Sequence, residues 1–312
     1  IRSFIHPDER VLVKPNVLSG DPPERAATTH PSVVGAVASL VRSAGATAAV
    51  GDSPGIGSTA GAMRKAGILE AIESSGAQVA TFDVATKTEF PHGERLRQFM
   101  LARDAHAADA IVSVAKLKTH ALERVTGAVK NQLGCVYGLY KARLHVEIPD
   151  TLEFATALVD LTRLLSPRPY VMDAIVGMEG NGPRSGDPRP IGAIIVSTDP
   201  VAVDATACRL IGLDPTFVPT TTAGANAGLG TYRESDITYV GDAFGEVVQR
   251  DFRVVRSPVR SGRLVTHSAI IKQLFTTRPT IDAERCVRCG LCVEACPVPE
   301  KAVRFINGDR AR

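Results

Sequence analysis

A mostly parallel α/β body with helices on both faces, followed by a small cysteine-bearing segment at the C-terminus, is the architecture the sequence predicts. Three observations predict it. Short apolar runs that read as strands alternate with helical periodicities along most of the chain, the pattern of βαβ units around a parallel sheet. Polar and glycine-rich stretches follow directly after several of those runs, where the carboxyl ends of parallel strands collect ligands. Four cysteines crowd into the span from Cys286 to Cys296. At 312 residues the chain exceeds the usual one-domain range of about 100–200 residues, so the body is assigned to residues 1–265 and the cysteine segment to 266–312.

The first strand is Val11-Leu12-Val13, running into Lys14-Pro15-Asn16; Pro15 cannot donate to a ladder, so Lys14 and Asn16 are left at the carboxyl edge. Pro31 opens a helix whose apolar stripe is Val33, Val34, Val37, Leu40, Val41 and Ala44, closed by Gly45. A strand over Ala46–Val50 meets the loop Gly51–Ser58, then a helix over about 59–74 and a strand over 78–82 follow. That loop has three readings. Gly55-x-Gly57-x-x-Ala60 matches a dinucleotide fingerprint, with Asp83 where a ribose-binding acid would stand, but Asp52-Ser53-Pro54 spoils the tight turn and brings a negative charge. An anion or substrate loop at a helix N-terminus, with Asp52 and Ser53, and a plain connection are the other two.

The run Ala110–Ala115 reads as a buried strand that delivers Lys116, Lys118 and His120 at its end, and Thr126–Gly134 reads as a helix carrying Lys130 and Asn131. The second half reads as another α/β portion. It has a helix over Leu152–Leu165, a strand over Tyr170–Ile175, a glycine-rich loop over Gly177–Pro183 that is a lid or a surface excursion, a buried strand over Ile191–Val196, and a helix opened by Asp199-Pro200. Asp199 is an N-cap or a strand-end acid, and Cys208 lies on an apolar stripe with Val201, Ala205 and Ile211.

Composition excludes several function classes. Hydrophobic content of 44% and charged content of 22% are those of an ordinary globular chain. A formal charge of +3 is too small to imply nucleic acid, and the basic tail has no interleaved aromatics. No apolar run approaches the ~20 residues that cross a bilayer, so neither nucleic acid nor membrane is an expected partner. Three lysines, a histidine and an asparagine near one sheet edge suit a small anionic molecule. Lys118, His120 and Lys130 are the candidate catalytic groups, and Lys14, Asn16, Asp52, Ser53, Lys116 and Asn131 the candidate substrate or anion ligands.

Cys286, Cys289, Cys292 and Cys296, with Pro297, spell CxxCxxCxxxCP, the bacterial ferredoxin run. Its crowding argues against zinc, whose ligand pairs stand a dozen or more residues apart, and against a disulfide pair. A 4Fe-4S cluster is the expected cofactor. Thiols kept reduced for iron imply the cytoplasm. In a two-run module three of these cysteines serve one cubane and the fourth serves the next. The full-length protein is therefore expected to hold two clusters, and this chain, which shows one run, a partial cluster or none, with the tail from Pro279 loosely held.

The motifs VLVKPN, GDSPG, KLKTH, TGAVKNQLG, MDAIVGMEGNGP and STDPVAVDATACRLIG, in that order before the ferredoxin run, resemble the iron–sulfur proteins grouped as "domain of unknown function 362". The resemblance spans Val11 to Pro297 and implies an α/β body with a ferredoxin-like C-terminal segment; it supplies no reaction. Two function classes follow. One is a redox enzyme that passes electrons, received from a partner protein, through the cluster to the anion in the cleft. The other is a non-catalytic iron–sulfur carrier or assembly factor that docks a protein. The size of the body favours the enzyme.

Overall fold

In the computed structural model the described residues are 1–55, 57–138, 140–259, 281, 286–294 and 296, with the backbone of 305–306 and 310–311. The body's strands are β1 (Arg10–Pro15), β2 (Thr47–Val50), β3 (Gln78–Val79), β4 (Ala85–Glu89), β5 (Gln98–Ala102), β6 (Ala110–His120), β7 (Arg124–Thr126), β8 (Tyr170–Glu179) and β9 (Asp187–Ser197). Its principal helices are α1 (Pro31–Ser43), α2 (Thr59–Lys65), α3 (Ile68–Ser75), α4 (Arg103–Ala107), α5 (Ala128–Asn131), α6 (Tyr140–Glu147), α7 (Thr151–Leu165), α8 (Pro200–Leu210) and α9 (Pro219–Asn226).

One sheet runs β3-β2-β1-β6-β8-β9, with β7 paired to β6. The β2, β1, β6 and β8 neighbours are parallel, and β9 closes the edge antiparallel to β8. Val11, Leu12 and Val13 are all buried, as a parallel strand covered on both faces requires. On one face Val33, Val37 and Val41 of α1 pack with Val11, Val13, Val112 and Val114. On the other, Val203 and Ala207 of α8 pack with Ala115, Leu117 and Met172. The α/β class with a mostly parallel sheet is therefore the observed fold. The second half is no separate portion, because β8 pairs with β6 and extends the first sheet.

Local departures from the sequence reading have local causes. The helix expected over 59–74 breaks at Gly67, whose φ of +70° ends α2 and starts α3. Leu40 is half exposed at the end of the α1 stripe. The glycine-rich stretch expected as a loop from Gly177 is strand through Glu179, since Gly177 pairs with Arg189 and Glu179 with Asp187. Ile191–Val196 is not a buried strand: it lies at the sheet edge, where Ile194 and Val196 are 52% and 59% exposed. Thr126 belongs to β7 rather than to a helix with Lys130, and α5 is a single turn continued by a 3-10 turn over Gln132–Cys135. The expected boundary near residue 265 and most of the tail from Pro279 lie outside the described residues.

A buried acid fixes that short helix. Asp204 accepts hydrogen bonds from the backbone N–H groups of Ala128 and Val129, at 2.5 and 3.2 Å, capping α5 from a neighbouring helix. Gly127 leaves room for it, because a Cβ there would stand 2.3 Å from the carboxylate. Asp199 is the N-cap of α8, accepting from Ala202 N at 2.9 Å, and Cys208 is core. Replacing Asp204 by alanine strands two buried donors, and a loss of about 2–4 kcal/mol is expected. A urea midpoint unchanged in Asp204→Ala would show that another group caps α5.

Candidate functional site

The carboxyl ends of β1 and β6 are built around buried charge. Lys14, wholly buried, forms an ion pair with Asp52 Oδ1 at 2.8 Å and donates to Asn131 Oδ1 at 3.0 Å and to the Pro15 carbonyl at 2.7 Å. Two of its ammonium hydrogens are thus given to neutral protein oxygens, and its charge is met by Asp52. The other carboxylate oxygen of Asp52 accepts from Val17 N at 2.7 Å. Gly134 permits this approach: a Cβ there would meet Asp52 Oδ1 at 1.8 Å and Lys14 Nζ at 2.6 Å. Ser53 ties the same loop across, its N–H donating to the Gly134 carbonyl and its hydroxyl accepting from Gly138 N.

Over this pair opens a cavity of about 260 Å³ lined by Lys14, Asn16, Asp52, Ser53, His120, Lys130, Asn131, Lys141 and His145 among others. Lys141 donates to the carbonyls of Ser53 and Pro54. Burial, reinforced by Lys14 and Lys130, pushes its ammonium down to about 8. Among the described residues no hydrogen bond or salt bridge engages the Lys130 ammonium. Burial also pushes Lys130 down, with Lys14 adding to the effect and Glu123 and Asp52 opposing it. His120 Nδ1 accepts from the backbone N–H groups of Leu122 and Glu123, both at 3.2 Å. That leaves Nε2–H as the ring's donor, and burial with Lys130 and Lys118 nearby drives the imidazole to about 2, so it is neutral. A neutral ring whose Nδ1 is taken is a hydrogen-bond donor through Nε2. Glu123 is sealed behind, with neither oxygen within hydrogen-bond distance of a side-chain partner, and burial raises its carboxyl.

Of the residues read from the sequence, Lys14, Asn16, Asp52, Ser53, His120, Lys130 and Asn131 meet in this cavity. Two do not line it. Lys118 stands behind Asn16, donating to Asn16 Oδ1 at 2.7 Å and to the Ala27 carbonyl at 2.6 Å. Lys116 is spent on Asp173 at 2.8 Å, a carboxylate that also accepts from His30 N. Sequence reasoning missed Lys141 and His145, one helical turn apart on α6, and Glu123 in the β6–β7 turn. The i, i+4 spacing of Lys141 and His145 was the available signal. Cys135 is buried and burial pushes its thiol up to about 12, so it is no thiolate. On the Gly51–Ser58 loop, Ser58 caps α2 itself by accepting from Gly61 N at 3.1 Å.

The cysteine run approaches the body. Arg288 and Gly290 have φ of +56° and +77° just ahead of a short helix at Leu291–Glu294, which carries Cys292. Cys289 and Cys292 are exposed and Cys296 is buried. Among the described residues no three Cys, His, Asp or Glu side chains are gathered into a metal-binding group. Soft thiolates in this order nonetheless suit an iron–sulfur cluster in kind. Leu291 and Glu294 line a second cavity of about 370 Å³ with Phe82, Asp83 and Tyr137, and it shares Ser53, Gly55 and Gly138 with the lysine cavity.

A buried parallel edge rich in lysines, joined to a ferredoxin-type run, defines a class of iron–sulfur α/β proteins. Residues 11–209 match the family described as "Domain of unknown function (DUF362)" and residues 279–299 match the "4Fe-4S binding domain". The chain belongs to the DUF362 family and carries a 4Fe-4S binding domain. It is 36% identical over 228 residues to the "Thylakoid-associated protein sll1697" of Synechocystis, covering 73% of this chain and 70% of that protein. Among solved structures it resembles the lactate racemase apoprotein of Thermoanaerobacterium thermosaccharolyticum at a TM-score of 0.45 and 12% identity, over 66% of this chain and 50% of that one. No helix among the described residues is long and apolar enough to cross a membrane.

The buried lysines make stability depend on pH. Burial, with Lys130 nearby, pushes Lys118 from 10.5 down to about 7 in the folded protein. Between those values the unfolded chain holds a proton that the folded chain has released, so stability rises as pH rises from 7 toward 10.5. Lys118→Met is expected to remove a part of that rise on the order of a few kcal/mol. Chemical denaturation at pH 7 and 9.5 checks it; equal slopes in both proteins would refute the buried charge.

Proposed function

We propose that the protein is an iron–sulfur redox enzyme in which electrons pass from a 4Fe-4S cluster to a small anionic substrate held in the lysine cavity. The observation that carries this reading is the second cavity, whose wall is shared between the cysteine segment, through Leu291 and Glu294, and the loop that borders the lysine cavity, through Ser53, Gly55 and Gly138. The cluster, when bound at Cys286, Cys289 and Cys292, supplies single electrons. The chain's own residues do the rest. Lys130 and Lys141 attract the anion, His120 donates from Nε2–H, and the Lys14–Asp52 pair keeps the floor rigid without spending a free charge on the ligand. Exposed Cys289 and Cys292 leave that side open to a redox partner protein, and neither nucleic acid nor membrane is called for. Thiols that must stay reduced to hold iron support a cytoplasmic location. A ferredoxin run gives its fourth cysteine to a neighbouring cubane, which supports two clusters, about eight irons, in the working protein.

Anaerobic purification with iron and sulfide analysis, a visible spectrum and mass spectrometry of co-purifying small molecules tests the cofactor. Zinc in place of iron, or one complete four-thiolate cluster built on this run, would defeat it. For the cleft, Lys130→Ala is expected to weaken sulfate or phosphate binding by about tenfold or more, the equivalent of ~1.4 kcal/mol, while shifting the urea midpoint by less than about 0.5 kcal/mol. A large stability loss with unchanged anion affinity would make Lys130 a structural lysine.

A further inference from the structure

We propose that Lys130 is an amine nucleophile that condenses with the carbonyl carbon of a small oxo-carboxylate in the lysine cavity to form a protonated imine. This rests on the anion-binding reading of the cavity and adds the substrate class. Five lysines come close to this edge, and their partners separate them, Lys116 being spent on Asp173. Lys14 is held in an ion pair with Asp52 and donates to Asn131 and the Pro15 carbonyl. Lys118 is held behind Asn16 by two oxygens. Lys141 gives two hydrogens to the Ser53 and Pro54 carbonyls, leaving one for a ligand. Lys130 alone lines the cavity with no hydrogen bond or salt bridge among the described residues, so no acceptor holds its proton in place.

The surroundings favour the free amine. Lys130 faces the cations Lys14, Lys118 and Lys141 and the neutral rings of His120 and His145, against Asp52 in its pair and Glu123 behind. Desolvation beside other cations is the condition that turns a lysine into a carbonyl nucleophile. The remaining polar groups suit the other end of the substrate. Lys141 keeps a donor for a carboxylate, and His120 Nε2–H donates to a carbonyl oxygen without being able to protonate the amine. The step balances within itself: the nitrogen bonds to the carbonyl carbon, the carbonyl oxygen leaves as water with two of the ammonium hydrogens, and the product keeps the third. A cavity of about 260 Å³ takes a small metabolite of this kind, below the usual range of drug-sized sites.

The test is reductive trapping on the full chain, with pyruvate and 2-oxoglutarate as probes and sodium borohydride as the hydride source, beside calorimetry of the same acids without it. Imine formation gives a mass gain of one oxo acid less one oxygen atom, mapped to the peptide that holds Lys130. Lys130→Arg is expected to lower that yield at least tenfold while binding of the acid survives. Binding without an adduct, or an adduct on Lys14, Lys118 or Lys141, overturns the nucleophile and leaves the anion site standing. No binding and no adduct overturn both. Because the native protein is mapped directly, failure of the variant to fold does not blunt the result.

Discussion

Three lysine ammonium groups, those of Lys14, Lys116 and Lys118, sit inside the protein at one end of its sheet, and their need for oxygen partners organises everything around them. A buried cation without partners costs several kcal/mol, so each must be met by a carboxylate or carbonyl from elsewhere in the chain. Lys14 draws in Asp52 from the loop after β2 and Asn131 from α5; Lys116 draws in Asp173 from β8; Lys118 draws in Asn16 and Ala27 from the crossover that follows β1. Segments far apart in sequence are thereby tied to one edge. Buried ion pairs of this kind are poor stabilisers compared with apolar packing of equal volume. Two such pairs and a third buried lysine at the ligand-collecting edge point to a functional site rather than to a device for stability.

Saturation of those ammonium groups also decides where reactivity remains. Once Lys14, Lys116 and Lys118 are bound to protein oxygens, the hydrogen-bonding capacity facing the cavity belongs to Lys130, Lys141 and His120. The same cations that are satisfied structurally still act through space, lowering the proton affinity of Lys130, Lys141 and His120. Glu123, buried behind the cavity, and Asp52 oppose that lowering at Lys130. A site arranged in this way combines a neutral imidazole donor with amines near their ionisation point, a combination that water-exposed side chains do not reach.

The Gly51–Ser58 loop has two faces with different neighbours. One face borders the lysine cavity through Asp52 and Ser53; the other borders the cavity closed by Leu291 and Glu294 of the cysteine segment. Its glycines and Pro54 keep the wall between the two thin. Phe82 and Tyr137 add ring surface on the cysteine side. The loop is therefore a partition between two cavities. Ser58 has already taken an N-terminal donor of α2 for its own cap.

Periodicity and turn chemistry were enough to read the α/β class, the α1 and α7 helices, the end of β1 at Pro15, the Asp199 cap and the core position of Cys208, because each depends on neighbours within a few residues. The ferredoxin run was legible for the same reason, its ligands being local. Lys14, Asn16, Asp52, Ser53 and His120 of the candidate cavity could be listed from strand ends, since parallel strands deliver their carboxyl ends to one side. What the sequence could not decide is which lysine is spent and which is left free. Lys116, Lys118 and Lys130 look alike in a string, and only the positions of Asp173, Asn16 and Glu123 in space separate a structural cation from a reactive one. The same holds for β8 running on through Gly177, which depends on pairing with β9, and for Asp204 capping a helix 75 residues away. Local sequence sets propensity and spacing, whereas the protonation and pairing of a buried charge depend on contacts that exist only once the chain has folded.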